Sequence, residues 1–269
     1  MELHSLSASS ITPLAAMVIC ACAGPTSPSA GAAGQVAAPK TSDAEIKAEL
    51  ADKLDDIRPT TDRRRAFLAQ RLPLDPAVRT GVLPNGLTYY IRRHREPEKR
   101  ALLWLGVNAG SLQEDDDQRG LAHFVEHMAF NGTQRFAKAA IVNYLESIGM
   151  KFGPDVNAYT SFDETVYQLQ LPTDDDAVVT RGFEILREWA SAVAFEPEEV
   201  DKERGVVLEE WRRGRGAFRR IVDKQYPVLF KGSKYAERLP IGRAEIIEKA
   251  PVEALVRYYR DWYRPDLMA

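Results

Sequence analysis

The chain has 269 residues, 45% of them hydrophobic and 28% charged, with a formal net charge of −3. These proportions are ordinary for a soluble globular chain of one or two domains. The charge argues against a nucleic-acid-binding protein, which usually carries a large basic excess. No run after the first thirty residues approaches the roughly 20 apolar residues of a membrane-spanning helix.

Residues 1–24 have the pattern of a secretory signal, because Pro13 to Ala23 is a run of small and apolar residues. Within it, Ile19 to Cys22 is similar to a bacterial lipoprotein cleavage box, in which Cys22 would carry the lipid. No Lys or Arg precedes Lys40, so the usual positive start of such a signal is missing. The pattern predicts a periplasmic or membrane-anchored location in the bacterial cell envelope, and the alternative is a disordered tail.

Residues 25–73 are predicted to be a disordered linker followed by a charged segment. The stretch from Pro25 to Ser42 is mostly Ala, Gly, Pro, Ser and Thr, which offers too few large apolar groups to pack. We therefore expect the folded domain to span 74–269. Both cysteines of the chain precede that domain, so it should contain no disulfide and no thiolate metal site.

The folded part is predicted to open with two strands. Leu83 to Gly86 reads Leu-Pro-Asn-Gly, which is a turn signal. Leu87 to Arg93 follows as a strand, and Ala101 to Asn108 is predicted to be its hairpin partner. His94 lies in the charged turn between them and is expected to be solvated.

A polar loop, Gly110 to Gly120, leads into a helix that carries His123, Glu126 and His127 in the order H-x-x-E-H. Positions i and i+4 of a helix share a face, so the two imidazoles can point at one zinc ion. Glu126 lies on a neighbouring part of that face and can reach a water at the metal. This order is the reverse of the H-E-x-x-H metalloprotease motif. The alternative is a surface helix with two unrelated histidines.

Alternating helices and strands are predicted after this motif. Phe136 to Ile148 has helical spacing, with Gly149 as its C-cap. Val156 to Thr160 and Thr165 to Leu171 are predicted strands, the second with one wet face. Thr173 is predicted to cap the next helix, which should run to about Val193.

Two further helices complete the predicted elements. One runs from Glu198 to Arg213, opened by Pro197, and contains the run ERGVVLEEW. The other runs from Pro251 to Tyr263 and is stopped by Pro265. Five arginines that follow the run ERGVVLEEW are interpreted as a solvated face, with contact to an acidic substrate as the alternative: Arg212, Arg213, Arg215, Arg219 and Arg220.

A catalytic zinc generally takes three protein ligands and leaves one position for water. The sequence offers no third plausible histidine, so a carboxylate is needed. Glu203 and Glu210 are seven residues apart and share a helix face, whereas Glu209 points roughly 100° away. Spacing alone does not decide which of the pair binds the metal, and the alternative is an exposed acidic helix.

Three blocks of sequence, in this order, resemble the pitrilysin/insulinase family of inverted-motif zinc peptidases, and most of all its bacterial periplasmic or membrane-associated branch. The blocks are HFVEHMAFNGT, SIGMKFGPDVNAYTSFDETVY and ERGVVLEEW. The resemblance covers about Leu83 to Leu267. It implies an α+β fold with a largely antiparallel sheet packed with helices, as in the N-terminal domain of these enzymes.

The same resemblance implies the roles of the site residues. One zinc ion per chain would be bound by His123, His127 and Glu210. Glu126 would be the general base and Glu203 a supporting catalytic residue close to the metal. A substrate peptide would add as a strand to a sheet edge, at the residues Asn157, Ala158 and Tyr159.

In the family resembled, a second half closes over the zinc-binding half and helps to hold the substrate. The chain is therefore expected to be an N-terminal part, incomplete at its C-terminal end, or a subunit that needs a partner, and to be a poor protease alone. Three hypotheses remain: a zinc endopeptidase, a non-catalytic family member that acts as a binding or processing subunit, and a lipoprotein interaction module without a metal.

Overall fold

The computed structural model describes residues 73–269, together with the single residues Ala66 and Gln70. The predicted signal segment, residues 1–24 with Cys22, lies outside the described residues, as does nearly all of the predicted segment 25–73. None of the helices in the described part is long and apolar enough to cross a membrane.

The first two strands form a hairpin. β1 (Val78–Val82) and β2 (Thr88–Arg92) are antiparallel. The predicted turn joins them, and the Gly86 amide donates to the Leu83 carbonyl at 2.9 Å. The predicted pairing of this second strand with the following one is therefore wrong. β2 pairs with β1 along its whole length, from Thr88 to Arg92, and four of its five residues are exposed.

The following strand pairs with a distant part of the chain instead. β3 (Arg100–Val107) lies antiparallel to β5 (Thr165–Pro172), and β5 lies antiparallel to β4 (Val156–Thr160), so the strand order is β3-β5-β4. Residues 267–269 run antiparallel along the other edge of β3. β4 is thus the edge strand on the opposite side of this sheet.

The sheet has one buried face and one wetter face. Tyr167, Leu169 and Leu171 of β5 are buried, whereas Gln168 and Gln170 between them are partly exposed. The predicted alternation along this strand is confirmed. Tyr167, Leu169 and Leu171 thus share the buried face of the sheet, as expected where helices cover that face.

The described part of the chain contains seven α-helices, and an antiparallel sheet with helices packed against it confirms the predicted α+β class. The helices are α1 (Leu121–Asn131), α2 (Ala140–Ser147), α3 (Asp176–Ser191), α4 (Pro197–Arg213), α5 (Ala217–Leu229), α6 (Ala244–Lys249) and α7 (Val252–Trp262). α5 and α6 were not predicted from the sequence.

Two helix starts differ from the prediction. α2 begins at Ala140 instead of Phe136, because the backbone of Phe136 is used in a turn with Thr133, whose amide donates to it at 2.8 Å. Asp175, not Thr173, caps α3, and its side chain accepts from the Ala177 amide at 2.8 Å.

Helix α1 lies at the centre of the core. Seven of its eleven residues are buried, and it packs against α4, α7 and β4. The sequence of α1 is apolar on almost every side, which is typical of a helix surrounded by protein. Four of its residues are partly exposed, the two histidines of the predicted motif together with Phe130 and Asn131.

Candidate metal centre

Helix α1 begins at a point of close backbone approach. Gly120 has φ 105°, and a Cβ at this position would lie 3.0 Å from the Cα of Gly242. A side chain here would be both strained and crowded. The loop before α6 can therefore pack directly on the first turn of the helix that carries the motif.

A buried carboxylate accepts hydrogen bonds from backbone amides at the start of α1. Glu114, in the predicted polar loop, is 1% exposed, and its Oε1 accepts from the amides of Gly120 and Ala122, both at 2.9 Å. Its Oε2 is buried and has no hydrogen-bond partner among the described residues. Burial raises the pKa of Glu114 to about 8, although the two amides act in the opposite direction.

Glu114→Gln is expected to remove part of the pH dependence of folding stability. The folded pKa of about 8 lies above the ordinary value of 4.5, so this group contributes stability that is present below pH 4.5 and lost as pH rises towards 8. Glutamine keeps an acceptor oxygen and stays neutral. Relative to the parent, the variant should gain stability from pH 5 to pH 8, on the order of a few kcal/mol, in urea unfolding.

Glu114→Ala is the control for that experiment. It removes the acceptor as well as the proton, so it should be less stable than Glu114→Gln by about 1–3 kcal/mol at both pH values. If the parent and Glu114→Gln lose stability in parallel between pH 5 and pH 8, then Glu114 does not hold a proton in the folded chain.

Three predicted metal-binding side chains converge. His123 and His127, one turn apart on α1, bring their Nε2 atoms to 3.3 Å from each other. Glu210 of α4 places Oε2 3.3 Å from Nε2 of His127 and 3.8 Å from Nε2 of His123. Within the described ranges, this trio is the one group of side chains spaced to hold a metal ion.

The donor set fits zinc. Two imidazole nitrogens and one carboxylate oxygen are a common zinc ligand set, and a tetrahedral ion with bonds of about 2.0–2.1 Å separates its donors by about 3.3 Å. The three measured separations are close to that value. The site also leaves one side open, since 37% of the Glu210 side chain is exposed.

The other predicted carboxylate of α4 lies behind His127. Glu203 Oε1 is 2.8 Å from Nδ1 of His127, so this ring is held on the side away from the other donors. Glu203 Oε2 accepts from the Nδ2 of Asn131 at 2.8 Å. Asn131 is the last residue of α1 and was not predicted from the sequence.

The charges of the metal-free site are distributed unequally. Burial opposes a charge on His127, but hydrogen bonds to Glu203 and Glu210 outweigh it and raise its pKa to about 10. Burial lowers the pKa of His123 to about 4, and the charge on His127 adds to this effect. The hydrogen bond from His127 lowers the pKa of Glu210 to about 2.

Glu126 lies on the same helix as the two histidines, but its hydrogen-bond partner is on β4. It is 8% exposed, and its Oε2 accepts a hydrogen bond from the hydroxyl of Thr160 at 2.8 Å. Burial raises the pKa of Glu126 to about 7. Thr160 is the last residue of β4. The sequence predicts it as the end of this strand, but nothing in the sequence indicates its contact with Glu126.

The three residues predicted to meet a substrate lie on β4, but their side chains point to opposite faces. Ala158 packs against the core, whereas Tyr159 is 39% exposed and its hydroxyl donates to Glu164 at 2.9 Å. Asn157 turns its side-chain oxygen onto the amide of Ala158 at 3.0 Å. The three residues therefore share no side-chain surface. They have in common only that their backbone belongs to an edge strand.

Two residues that were predicted not to bind the metal, Glu209 and His94, lie away from this site. Glu209 is paired with Arg213 at 3.0 Å on the exposed side of α4, in agreement with the predicted direction of its side chain. His94 is exposed, and its Nδ1 is 3.0 Å from the carbonyl of Glu96.

A comparison with protein families matches residues 89–223 to the family described as insulinase (peptidase family M16). This range contains the five imidazole and carboxylate groups of the site: His123, Glu126, His127, Glu203 and Glu210.

Three known proteins are similar to most of this chain. The probable zinc protease PqqL of Haemophilus influenzae is 44% identical over 198 residues, which are 74% of this chain and 21% of that protein. A zinc protease PQQL-like protein of Arabidopsis thaliana is 46% identical over 183 residues, 68% of this chain and 19% of that protein. The crystal structure of the first half of the periplasmic protease PqqL from Escherichia coli gives a TM-score of 0.72 at 43% identity, over 74% of this chain and 42% of that one. This chain therefore spans about a fifth of the length of the curated relatives.

Proposed function

Because this chain belongs to the insulinase family (peptidase family M16), we propose that it carries the zinc centre of a zinc-dependent endopeptidase. Its substrates would be peptides or small unfolded proteins. The proposal rests above all on the convergence of His123, His127 and Glu210, whose donor atoms lie within 3.8 Å of one another. Glu126 lies on the helix that carries the two histidines.

One zinc ion per chain, held by those three side chains, would supply Lewis acidity that polarises a scissile carbonyl and makes water a stronger acid. Glu126 then acts as the general base. In this role it would take a proton from the attacking water and return it to the leaving amine. In the metal-free chain, burial raises its pKa to about 7. This kind of proton transfer contributes about 10²–10⁴ to the rate.

Glu203 supports this chemistry without touching the substrate. By binding Nδ1 of His127, it keeps the Nε2 of that ring directed at His123 and Glu210. Such partners commonly fix the orientation of a metal-binding imidazole.

The substrate peptide is proposed to add as a strand to the edge of β4. Backbone hydrogen bonds would then supply affinity with little dependence on side chains. The side chain of Asn157 occupies the amide of Ala158, so a peptide that pairs at this position must displace it. The hydroxyl of Thr160 binds Glu126, so the same strand lies next to the base.

The relatives are about five times longer than the region they share with this chain. We propose that a C-terminal half or a partner subunit helps to hold the substrate over the open side of the site. The Escherichia coli neighbour is described as periplasmic, and we propose the same cell-envelope location here. Lipid attachment at Cys22 stays a prediction.

Zinc content and peptide cleavage test the proposal. The purified chain should hold about one zinc ion, removable by a chelator. Cleavage of an unstructured fluorogenic peptide should be weak with residues 1–269 alone and should increase when the proposed C-terminal half or partner subunit is added, because catalysis needs the substrate held in a reactive geometry. A chain without zinc overturns the proposal. Zinc without cleavage in either preparation favours the alternative, a non-catalytic binding or processing subunit.

Zinc binding is expected to release a proton. His127 is charged in the metal-free chain because its pKa is about 10, whereas a metal needs the neutral ring. Zinc binding near pH 7 should therefore release about one proton, and the apparent affinity should rise about tenfold per pH unit from about pH 6 to 9. Titration calorimetry in two buffers of different ionisation enthalpy measures the proton directly.

Glu203→Gln provides the control for this measurement. Without the Glu203 carboxylate, the pKa of His127 should fall, so fewer protons should be released at pH 8. An affinity that does not change between pH 6 and pH 8 in the parent would show that His127 is neutral before zinc binds.

A further inference from the structure

The residue that ends α1 lies next to the metal centre, although it is outside the motif that predicts it. Asn131 follows His127 by four residues, so both side chains lie on the same face of the helix. Its Nδ2 donates to Glu203 Oε2 at 2.8 Å and is 3.4 Å from the carbonyl of His127. The shorter contact, to the carboxylate, is the stronger of the two.

This contact completes the hydrogen bonding of Glu203. One carboxylate oxygen meets Nδ1 of His127 and the other meets Asn131, and both partners come from α1. A carboxylate held at one oxygen can rotate, whereas one held at both oxygens by neighbouring turns of a single helix is fixed in position and in plane. The side chain is only 16% exposed, so water has little access to replace either partner.

The two histidines differ in how they are held. Nδ1 of His127 has Glu203, but the buried Nδ1 of His123 has no hydrogen-bond partner among the described residues. The orientation of the imidazole pair therefore depends on His127, and through it on the group that fixes Glu203.

We propose that Asn131 is a positioning residue of the zinc centre: its amide fixes the carboxylate of Glu203, which in turn fixes the ring of His127. This inference rests on the proposed zinc site. In this role Asn131 contacts neither the metal nor the substrate, and it acts only through Glu203.

Zinc affinity, measured by chelator competition, tests this chain of contacts. Asn131→Leu keeps a similar shape without the amide, and it should weaken zinc binding about tenfold, the lower end of the effect of such supporting residues. The absorption spectrum of the cobalt-loaded chain should change as well, because the ring of His127 is less well oriented. Asn143→Leu, at an exposed position of α2, is the control and should change neither quantity.

The same substitution in a Glu203→Ala background separates positioning from a general structural role. If Asn131 acts through Glu203, the loss caused by Asn131→Leu should shrink from about tenfold to less than about twofold in that background. Asn131→Ala serves as a second variant, and thermal unfolding of the metal-free chains identifies any variant that has not folded.

Two results would overturn the inference while leaving the zinc site intact. One is zinc affinity within about twofold of the parent in both Asn131 variants, with an unchanged cobalt spectrum. The other is an equal loss with and without Glu203. A parent chain that binds no zinc would instead overturn the proposed function, and this inference with it.

Discussion

Glu126→Gln is expected to reduce peptide hydrolysis by about 10²–10⁴-fold while the zinc content stays near that of the parent. Glutamine keeps the shape of the side chain and an oxygen that can accept from the hydroxyl of Thr160, which lies 2.8 Å from Glu126. It cannot accept the proton that a general base must take. Hydrolysis is measured with the fluorogenic peptide, on the chain together with the proposed C-terminal half or partner subunit, and zinc by elemental analysis.

The matched control is Glu146→Gln, the same substitution at an exposed position of α2. It should leave both hydrolysis and zinc content unchanged. Loss of zinc together with activity in Glu126→Gln would mean that Glu126 binds the metal, and the roles proposed for the motif would then be wrong.

Removal of any one of the three proposed metal donors should weaken zinc binding by more than about 100-fold. The changes are His123→Ala, His127→Ala and Glu210→Gln. Each leaves only two donors, whereas loss of a supporting residue typically costs about 10–100-fold. Glu203→Gln, which leaves all three donors in place, should reduce activity more than zinc content. Chelator competition measures the affinity.

Glu209→Gln is the control for Glu210→Gln, because it makes the same change one residue earlier on α4. Glu209 points to Arg213 on the exposed side of the helix, so zinc binding should be unaffected. A strong defect from Glu209 with none from Glu210 would move the proposed ligand by one position.

The parts of this site that could be predicted are those set by local geometry. The shared direction of His123, Glu126 and His127 follows from the period of one helix. In the structure, the Nε2 atoms of the two histidines lie 3.3 Å apart. For α4, the same period placed Glu203 and Glu210 on one face but did not say which one meets the metal donors. In the structure, Glu203 lies behind His127 and Glu210 beside both rings.

The parts that were missed depend on contacts between residues far apart in sequence. Asn131 meets Glu203 across 72 positions, and Thr160 meets Glu126 across 34. Neither pairing has a periodic signal. Glu114 was assigned only to a polar loop. Its carboxylate accepts from the amide of Gly120, six residues further along the chain, and no local capping pattern indicates this contact.

Helix α5 was not predicted, and its apolar residues are largely exposed in the structure. α5 has Phe218, Ile221 and Val222 at helical spacing, a signal that was available. The arginines at its start were interpreted as a solvated face, and the helix itself was not predicted. Phe218 is 71% exposed and Ile221 is 50% exposed, so this helix owes little to burial in the described core.

The anchoring of α1 has a thermodynamic consequence for metal binding. The carboxylate of Glu114 holds its first turn, the indole of Trp189 donates to the Ala129 carbonyl at 2.9 Å, and Asn131 joins its last residue to α4. The conformational entropy of the two imidazole donors is therefore lost when the chain folds and not when an ion arrives. In small zinc-dependent folds, by contrast, coordination itself drives the ordering of the chain, and part of its free energy is consumed in doing so. Here the chain should keep its fold without an ion, and more of the coordination free energy remains as affinity.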